Sequence, residues 1–161
     1  MGESDEVQIE PVLAVTDEVR SLVGELEAVL AADYLPGQRH GLTLDAIFQP
    51  DVRFFLARLR GAAVGCGGVF LFPDFAEVKR MYVRPSARGQ GVADAILVRI
   101  EAEVHRAGLT VLRLETGDRQ IAAMRLYVRM GFRECPAFGA YARMAPQSIA
   151  SSVFFEKRIG A

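Results

Sequence analysis

A glycine-rich loop between a strand pattern and a helix pattern is the feature that most constrains this chain. The strand pattern ends at Val83, the loop is Arg88-Gly89-Gln90-Gly91, and a helical pattern begins near Gly91. The first amides of a helix have no intrahelical acceptor and carry partial positive charge, so they attract anions. Gly89 and Gly91 let the backbone approach phosphate oxygens without an intervening Cβ. The loop therefore predicts a pyrophosphate site, to which Arg88 adds a charge-assisted contact.

The first helical turn fits the same interpretation. Val92 and Ala93 follow the glycines, and Ala93 keeps this turn slim enough for a phosphate to approach. The alternative is a tight turn that simply begins a helix. A dinucleotide-binding fold is disfavoured, because Asp94 stands where its third glycine would lie and would place a negative charge beside the pyrophosphate.

Hydrophobic periodicity divides the chain into an antiparallel part followed by a βαβ part. Strands are predicted at Val7–Glu10, Val52–Leu59, Ala62–Phe72, Ala76–Val83, Thr110–Glu115, from Phe132 onward and at Ser152–Ile159. Helices are predicted at Asp17–Ala32, Thr43–Phe48, Gly91–Arg106 and Arg119–Met130. Arg60-Gly61 predicts a two-residue hairpin. This order indicates an α+β fold with a mixed central sheet of about seven strands flanked by helices.

Length and charge limit the classes of protein to consider. The chain has 161 residues and no repeat or linker, which predicts one domain over 1–161 with a polar lead at 1–6. That lead lacks the features of a secretory signal, and no apolar run is long enough to cross a bilayer. The formal net charge of −1 gives no general attraction to nucleic acid or membrane. We therefore expect a cytoplasmic protein with neither kind of partner.

The cysteines and histidines do not indicate a metal site. Cys66 and Cys135 lie in separate predicted strands without a CxxC spacing, and His40 and His105 lack the spacing of zinc ligands. Two free thiols are favoured over the single disulfide that two cysteines allow. No metal is expected.

Two segments resemble the signatures of the GCN5-related N-acetyltransferase (GNAT) family. Glu77–Ala93 is similar to motif A of that family, written Q/R-x-x-G-x-G/A, and Leu126–Phe132 is similar to its second signature, L-Y-x-x-x-G-F. The two occur in the family's order with a βα unit between them, and the element order resembles the family from about Val7 to Ile159. The resemblance implies the acyl-CoA N-acyltransferase fold with splayed central strands and acetyl-CoA as the acyl donor.

The resemblance also implies where acetyl-CoA binds. The strands that end at Val83 and Glu115 diverge, and pantetheine lies in the gap and pairs with the backbone near Met81 and Val83. Such a gap leaves N–H and C=O groups that need partners. Gln120 stands where the family usually has an asparagine near the cofactor, so this contact depends on a longer amide. The residues expected at the pyrophosphate are Arg88, Gly89, Gln90, Gly91, Val92 and Ala93.

Acyl transfer to an amine requires loss of an ammonium proton, a polarised thioester carbonyl and a proton for the departing thiolate. Tyr127 matches the family tyrosine placed beside the sulfur as that acid, although a tyrosine on an amphipathic helix is also typical of a packed core. Glu77 matches the glutamate base that some members carry. Glu115, on the strand across the gap, is the competing carboxylate.

The sequence thus predicts an N-acetyltransferase that moves an acetyl or short acyl group from acyl-CoA to a primary amine by direct transfer in a ternary complex. The acceptor, a small-molecule amine or a peptide, is expected beside Leu30–Gln49 and Pro136–Ser152. A non-catalytic acyl-CoA sensor or interaction module of the same fold is the alternative. The resemblance also implies that a homodimer could form through the closing strands.

Overall fold

The computed structural model describes residues 5–160, so residues 1–4 of the predicted polar lead lie outside the described part. The strands are β1 (Gln8–Pro11), β2 (Val52–Leu59), β3 (Ala62–Leu71), β4 (Ala76–Val83), β5 (Val111–Gly117), β6 (Arg133–Cys135) and β7 (Ser152–Arg158). The α-helices are α1 (Asp17–Asp33), α2 (Val92–Arg106), α3 (Ile121–Arg129) and α4 (Pro146–Ile149). Short 3₁₀ turns cover Pro36–Gln38, Ala46–Phe48, Pro85–Ala87 and Gly139–Arg143.

One mixed sheet of seven strands organises the fold, as predicted. Its order is β1-β2-β3-β4-β5-β7-β6. The first four strands form an antiparallel meander, β4 and β5 are parallel, and β7 runs antiparallel to both β5 and β6. The predicted hairpin at Arg60-Gly61 is confirmed, because both residues have positive φ angles, of 49° and 78°, as the favoured two-residue turn requires.

The parallel pair at the centre of the sheet comes apart after its first two positions. Ala76 pairs with Leu112 and Glu77 with Arg113, and no further pairs join β4 to β5 within residues 5–160. Each strand remains attached on its other side, β4 to β3 and β5 to β7. The expected splay is therefore confirmed, and it opens towards the carboxyl ends of both strands.

Helices cover the two faces of the sheet. On one face, Ile96, Leu97 and Ile100 of α2 are fully buried in a core that also includes Tyr127 of α3. On the other face, Val19 and Leu22 of α1 are fully buried. Burial of each such aliphatic side chain stabilises the fold by about 1.5–3 kcal/mol. The sheet is thus fixed between α1 and the α2–α3 pair, which border the splay from opposite sides.

The predicted helix ends agree with the structure in most places. Thr16 caps α1 by accepting a hydrogen bond from the Val19 amide at 3.2 Å. The helix predicted at Thr43–Phe48 is wrong in type and length, since only a 3₁₀ turn over Ala46–Phe48 forms. The reason is Pro50, which disfavours helical geometry in the residue before it; Gln49 is extended, with ψ at 155°.

The cysteines are free thiols, as predicted. Cys66 is buried and Cys135 is partly exposed. Across residues 5–160, no helix combines the length and apolar character that a membrane crossing needs. The same part of the chain holds no group of three or more His, Cys, Asp or Glu side chains placed to bind a metal ion.

Tyr34 ties the end of α1 to the loop that starts α3. Its hydroxyl accepts a hydrogen bond from the backbone N–H of Arg119 at 2.8 Å, just before α3 begins. The ring passes directly over Gly117, where a Cβ would overlap the phenol hydroxyl and ring. The last residue of β5 must therefore be glycine for α1 and α3 to be fixed together.

We expect Gly117→Ala to lower the free energy of unfolding by about 1–3 kcal/mol, because the added methyl displaces the Tyr34 ring in a packed region. Gly24→Ala is the matched control: a Cβ at this position in α1 meets nothing within 4 Å, and the change should stabilise the helix by about 1 kcal/mol. Urea unfolding measures both. Equal stability of the Gly117 variant and the parent protein would contradict the packing described.

Candidate active site

Two cavities meet where β4 and β5 diverge. The large cavity, of about 720 Å³, lies between the glycine-rich loop, the start of α2 and α3. The small cavity, of about 130 Å³, lies between α1, the segment after it, β4 and β5. A ligand extended through the large cavity would reach the small one across their common wall. That wall is formed by Leu26, Met81, Gln120, Ala123 and Tyr127.

The glycine-rich loop forms one end of the large cavity. Gly89 and Gly91 have φ angles of 77° and 80°, which glycine adopts without strain, and open space surrounds the position of a Cβ at either residue. Gly91 is the N-cap of α2 and has no side chain to cap it. The first amides of α2 are therefore left for an external acceptor. This is the arrangement that the sequence predicted for a pyrophosphate site.

The structure brings all but one of the predicted cofactor residues to the large cavity. Gln90 does not line it: its amide nitrogen donates to the Ser86 carbonyl and its oxygen accepts from Arg60, each at 3.4 Å. The side chain of Gln90 thus points away, between two glycines with positive φ. The residues that do line the cavity are Met81, Val83, Arg88, Gly89, Gly91, Val92, Ala93 and Gln120.

An ion pair that the sequence did not predict spans the large cavity. Arg129, at the end of α3, donates to both carboxylate oxygens of Asp94, in the first turn of α2, at 2.7 and 3.0 Å. The hydrogen bond from this guanidinium lowers the pKa of Asp94. Asp94 therefore keeps its charge beside the anion site, but Arg129 balances it. The two residues lie far apart in the sequence, which gave no signal of their pairing.

A bulge in β4 shapes the edge that faces the gap. Arg80 has a positive φ of 57°, and the β3–β4 register shifts between Cys66 and Gly68, so β4 carries an extra residue here. Beyond the bulge, the Val83 carbonyl accepts a hydrogen bond from the Arg88 side chain at 3.4 Å rather than from β5. Backbone groups on this edge of β4 have no partner in β5 beyond Glu77, and a ligand in the gap that binds the Val83 carbonyl would replace the long Arg88 contact.

Tyr127 lies on the common wall, on the helix beneath the gap. Only 6% of its surface is exposed, and its ring packs edge-on against Phe132 with centroids 5.7 Å apart. Burial raises the pKa of Tyr127 well above its usual value, and the nearby Glu115 carboxylate adds to the effect. The phenol is therefore protonated throughout the neutral pH range. It can donate a proton or a hydrogen bond towards either cavity.

The small cavity contains a compact polar cluster around Glu77. Tyr141 donates its hydroxyl proton to Glu77 Oε2 at 2.6 Å, and Lys79 Nζ lies 2.9 Å from the same oxygen. Lys79 also donates to the Tyr141 hydroxyl at 2.9 Å. Glu77 is only 3% exposed. Both donors contact Oε2, so neither of these two side chains occupies Oε1.

Glu115 is the second carboxylate of the small cavity. Its Oε2 accepts a hydrogen bond from the Ser152 hydroxyl at 2.6 Å. Burial raises the pKa of Glu115, against the lowering effects of Ser152, His40 and Lys79. The two carboxylates lie on the two diverging strands, Glu77 on β4 and Glu115 on β5. They therefore approach the cavity from opposite sides of the gap.

Gln120 occupies the N-cap position of α3 and belongs to the wall shared by both cavities. Its side chain lies near the Tyr34 hydroxyl and lowers the pKa of that phenol, against the larger raising effect of burial. Sequence reasoning placed Gln120 at the site but did not identify Tyr34, because the two lie on different helices and nothing local links them. Lys79 and Ser152 were missed as partners of the carboxylates for the same reason.

Comparison with known proteins agrees with this geometry. The sequence model of the Acetyltransferase (GNAT) family matches residues 22–132. The IAA acetyltransferase of Azospirillum brasilense is 40% identical over 143 residues, which cover 88% of this chain and 90% of that protein. A candidate acyl-CoA N-acyltransferase from Klebsiella pneumoniae superposes with a TM-score of 0.77 and 31% identity, over 98% of this chain and 100% of the other.

A more distant solved structure shares the fold. The GNAT family acetyltransferase from Elizabethkingia anophelis, determined with acetyl-CoA bound, superposes with a TM-score of 0.69 at 18% identity. The alignment covers 97% of this chain and 100% of that one. The fold is therefore common to proteins of very different sequence.

The buried tyrosines lead us to expect that the stability of the fold decreases at alkaline pH. Burial is the main cause that raises the pKa of all four, Tyr34, Tyr82, Tyr127 and Tyr141, above the usual 10.0. A group with a raised pKa in the folded state contributes its full stabilisation below the unfolded pKa and loses it as pH rises through the folded one. We expect the free energy of unfolding to fall above about pH 10. The ultraviolet absorbance of tyrosinate should then appear together with unfolding. If it appears gradually while the protein is still folded, the tyrosine hydroxyls are not buried as described.

Proposed function

The chain belongs to the acetyltransferase (GNAT) family, and we propose that it transfers an acetyl or short acyl group from acyl-CoA to a primary amine by direct transfer in a ternary complex. The observation that carries this proposal is the position of Tyr127. A protonated, buried phenol stands on the wall between a large cavity with an anion-binding end and a small cavity with two carboxylates.

The donor is proposed to be acetyl-CoA, the ligand of the Elizabethkingia anophelis protein. Its pyrophosphate would bind at Arg88, Gly89 and the first amides of α2, beside Val92 and Ala93, with Gln90 contributing through its backbone. Pantetheine would extend along Met81 and Val83 in the gap, as a substitute for the pairing that β5 does not provide. Gln120 would contact the cofactor from the start of α3.

In the proposed reaction, the acceptor nitrogen attacks the thioester carbonyl carbon. A C–N bond forms as the C–S bond breaks, and the sulfur takes the phenolic proton of Tyr127. Glu77 is the proposed base that accepts the proton released by the amine, directly or through a water molecule, at Oε1. Lys79 and Tyr141 hold its other oxygen and so fix the orientation of the carboxylate.

The domain organisation, the cellular compartment, the acceptor and the oligomeric state are also proposals. We place the whole of 1–161 in a single domain, and the free thiols of Cys66 and Cys135 favour the reducing cytoplasm. A small-molecule amine or a peptide end is the proposed acceptor. If the protein forms a homodimer, the sheet edge made by β6 and β7 is the proposed contact.

We expect Tyr127→Phe to lower kcat by about 10-fold or more and to leave the affinity for CoA nearly unchanged, because the ring still packs while the proton donor is lost. Thiol release from acetyl-CoA with a panel of amines measures kcat, and calorimetry measures CoA affinity. Unchanged kcat would remove Tyr127 from the mechanism. If the parent protein binds CoA but releases thiol with no amine, the non-catalytic sensor is the better description.

We expect Gly91→Glu to abolish CoA binding, because it places a carboxylate at the anion site and a Cβ at a positive φ. Gly108→Glu is a closely matched control: its φ is 79°, open space surrounds its Cβ position, and it follows the other end of α2. Both variants carry similar backbone strain and the same added charge. Calorimetric titration with CoA should show binding only to the Gly108 variant; equal affinities would show that the loop does not hold the cofactor.

A further inference from the structure

We infer that the acceptor is a small amine that also carries an anionic group, such as a short amino acid or an aminoalkylphosphonate. The anion binds at Arg39 and the amine binds beside Glu115. This inference rests on the proposed function and names the substrate class of its small cavity. It follows from the charges that the side chains of this cavity leave unbalanced.

The central ion pair of the small cavity is already balanced. Lys79 and Glu77 contact each other at 2.9 Å and are both nearly buried, and the Tyr141 hydroxyl joins them. A buried lysine and a buried carboxylate in direct contact neutralise each other. An acceptor group that enters the cavity therefore meets little net charge at this pair.

Two arginines at the edge of the cavity share a single carboxylate. Arg80 is paired with Glu27 and also donates to the Leu42 carbonyl at 2.7 Å. Arg39 reaches the same carboxylate only at 3.4 Å. Glu27 can balance one guanidinium charge, so one positive charge is left over. It belongs to Arg39, which has the weaker contact.

The hydrogen bonds of Arg39 support this assignment. Its Nε is buried and has no hydrogen-bond partner within residues 5–160. Glu27 therefore does not engage the full fork of Arg39. The side chain keeps 23% of its surface exposed, and two oxygens of a carboxylate or phosphonate match the fork of guanidinium donors. Arg39 lines the small cavity and not the large one. The anion that satisfies it therefore belongs to the acceptor and not to the cofactor.

Glu115 supplies the opposite charge. It accepts a hydrogen bond from a neutral hydroxyl, that of Ser152, and the carboxylate lines the same cavity as Arg39. A substrate ammonium would complete an ion pair there, next to Tyr127 on the common wall. His40 borders the same cavity and is oriented by a hydrogen bond from its Nε2–H to the Ser148 carbonyl at 2.8 Å.

The size of the cavity limits the part of the acceptor that lies inside it. Its volume of about 130 Å³ is well below the ~300–1,000 Å³ typical of pockets for larger organic ligands. A cavity this small, with one unbalanced cation and one unbalanced carboxylate, fits an amine and an anion separated by a short chain. Long polyamines would place a second cation near Arg39 and are disfavoured.

The test compares matched acceptors by thiol release from acetyl-CoA. Glycine and β-alanine are compared with their neutral carboxamides, glycinamide and β-alaninamide, and aminomethylphosphonate and aminoethylphosphonate test the second kind of anion. We expect kcat/KM to be about 10-fold or more higher for the anionic acceptor of the best pair, the scale of a charge-assisted hydrogen bond. Higher activity with the phosphonates than with the amino acids would identify the anion as a phosphonate.

Substitutions at Arg39 and Glu115 locate the two binding groups. Arg39→Gln should raise KM for anionic acceptors about 10-fold and leave KM for acetyl-CoA and for the amides unchanged. Arg39→Lys should restore part of the loss, because it keeps the charge. Arg106→Gln, at the exposed end of α2, is the control for loss of one arginine. Glu115→Gln should raise KM for both acceptor classes, since both carry the amine.

The outcomes separate the two proposals. If amides and anionic acceptors react equally well, or if Arg39→Gln changes both classes alike, the inference is wrong while the proposed function stands. If the parent protein releases thiol with no amine of any class, the proposed function is wrong and the inference falls with it. Thermal melting of each variant distinguishes loss of an acceptor contact from loss of the fold.

Discussion

The divergence of β4 from β5 is the constraint on which the rest of the structure depends. Two parallel strands joined at only two positions leave the facing edges of both strands without backbone partners. The sheet tolerates this gap because β3 and β7 hold the outer edges of the two strands. Helices also pack on both faces of the sheet, and the hydrogen bond from the Arg119 N–H to the Tyr34 hydroxyl links the end of α1 to the start of α3 beside the gap.

Most of the fold was predictable because its signals are local. The hairpin at Arg60-Gly61, the cap at Thr16 and the glycines before α2 each act through residues close in sequence. The splay was predicted only through the resemblance to a family. The residue pattern of one strand does not show whether the neighbouring strand diverges from it. The helix expected at Thr43–Phe48 failed because the effect of Pro50 on the preceding residue outweighed an apolar pattern of few residues.

The candidate site was predictable in part, for a physical reason. The anion-binding loop is one continuous segment, so its chemistry can be recognised without knowledge of the fold. Even there, Gln90 was placed with its neighbours although its side chain turns away, because the positive φ angles on either side reverse the chain direction. The small cavity is assembled from α1, β4, β5 and the segment after β6. Partners such as Tyr141 for Glu77 and Ser152 for Glu115 become visible only when those elements are packed.

Burial also decides which side chains can act as nucleophiles. It raises the pKa of Cys66 to about 12, and it raises the pKa of Cys135 as well, so neither thiol is ionised near neutral pH. A thiol that stays protonated is a poor nucleophile, which argues against an acyl-cysteine intermediate. Burial also keeps the Tyr127 phenol un-ionised, so it remains a hydrogen-bond donor to the sulfur of a departing thiolate, while its raised pKa makes it a weaker acid. The apolar interior that stabilises the fold thus favours direct transfer between two bound substrates over a covalent route.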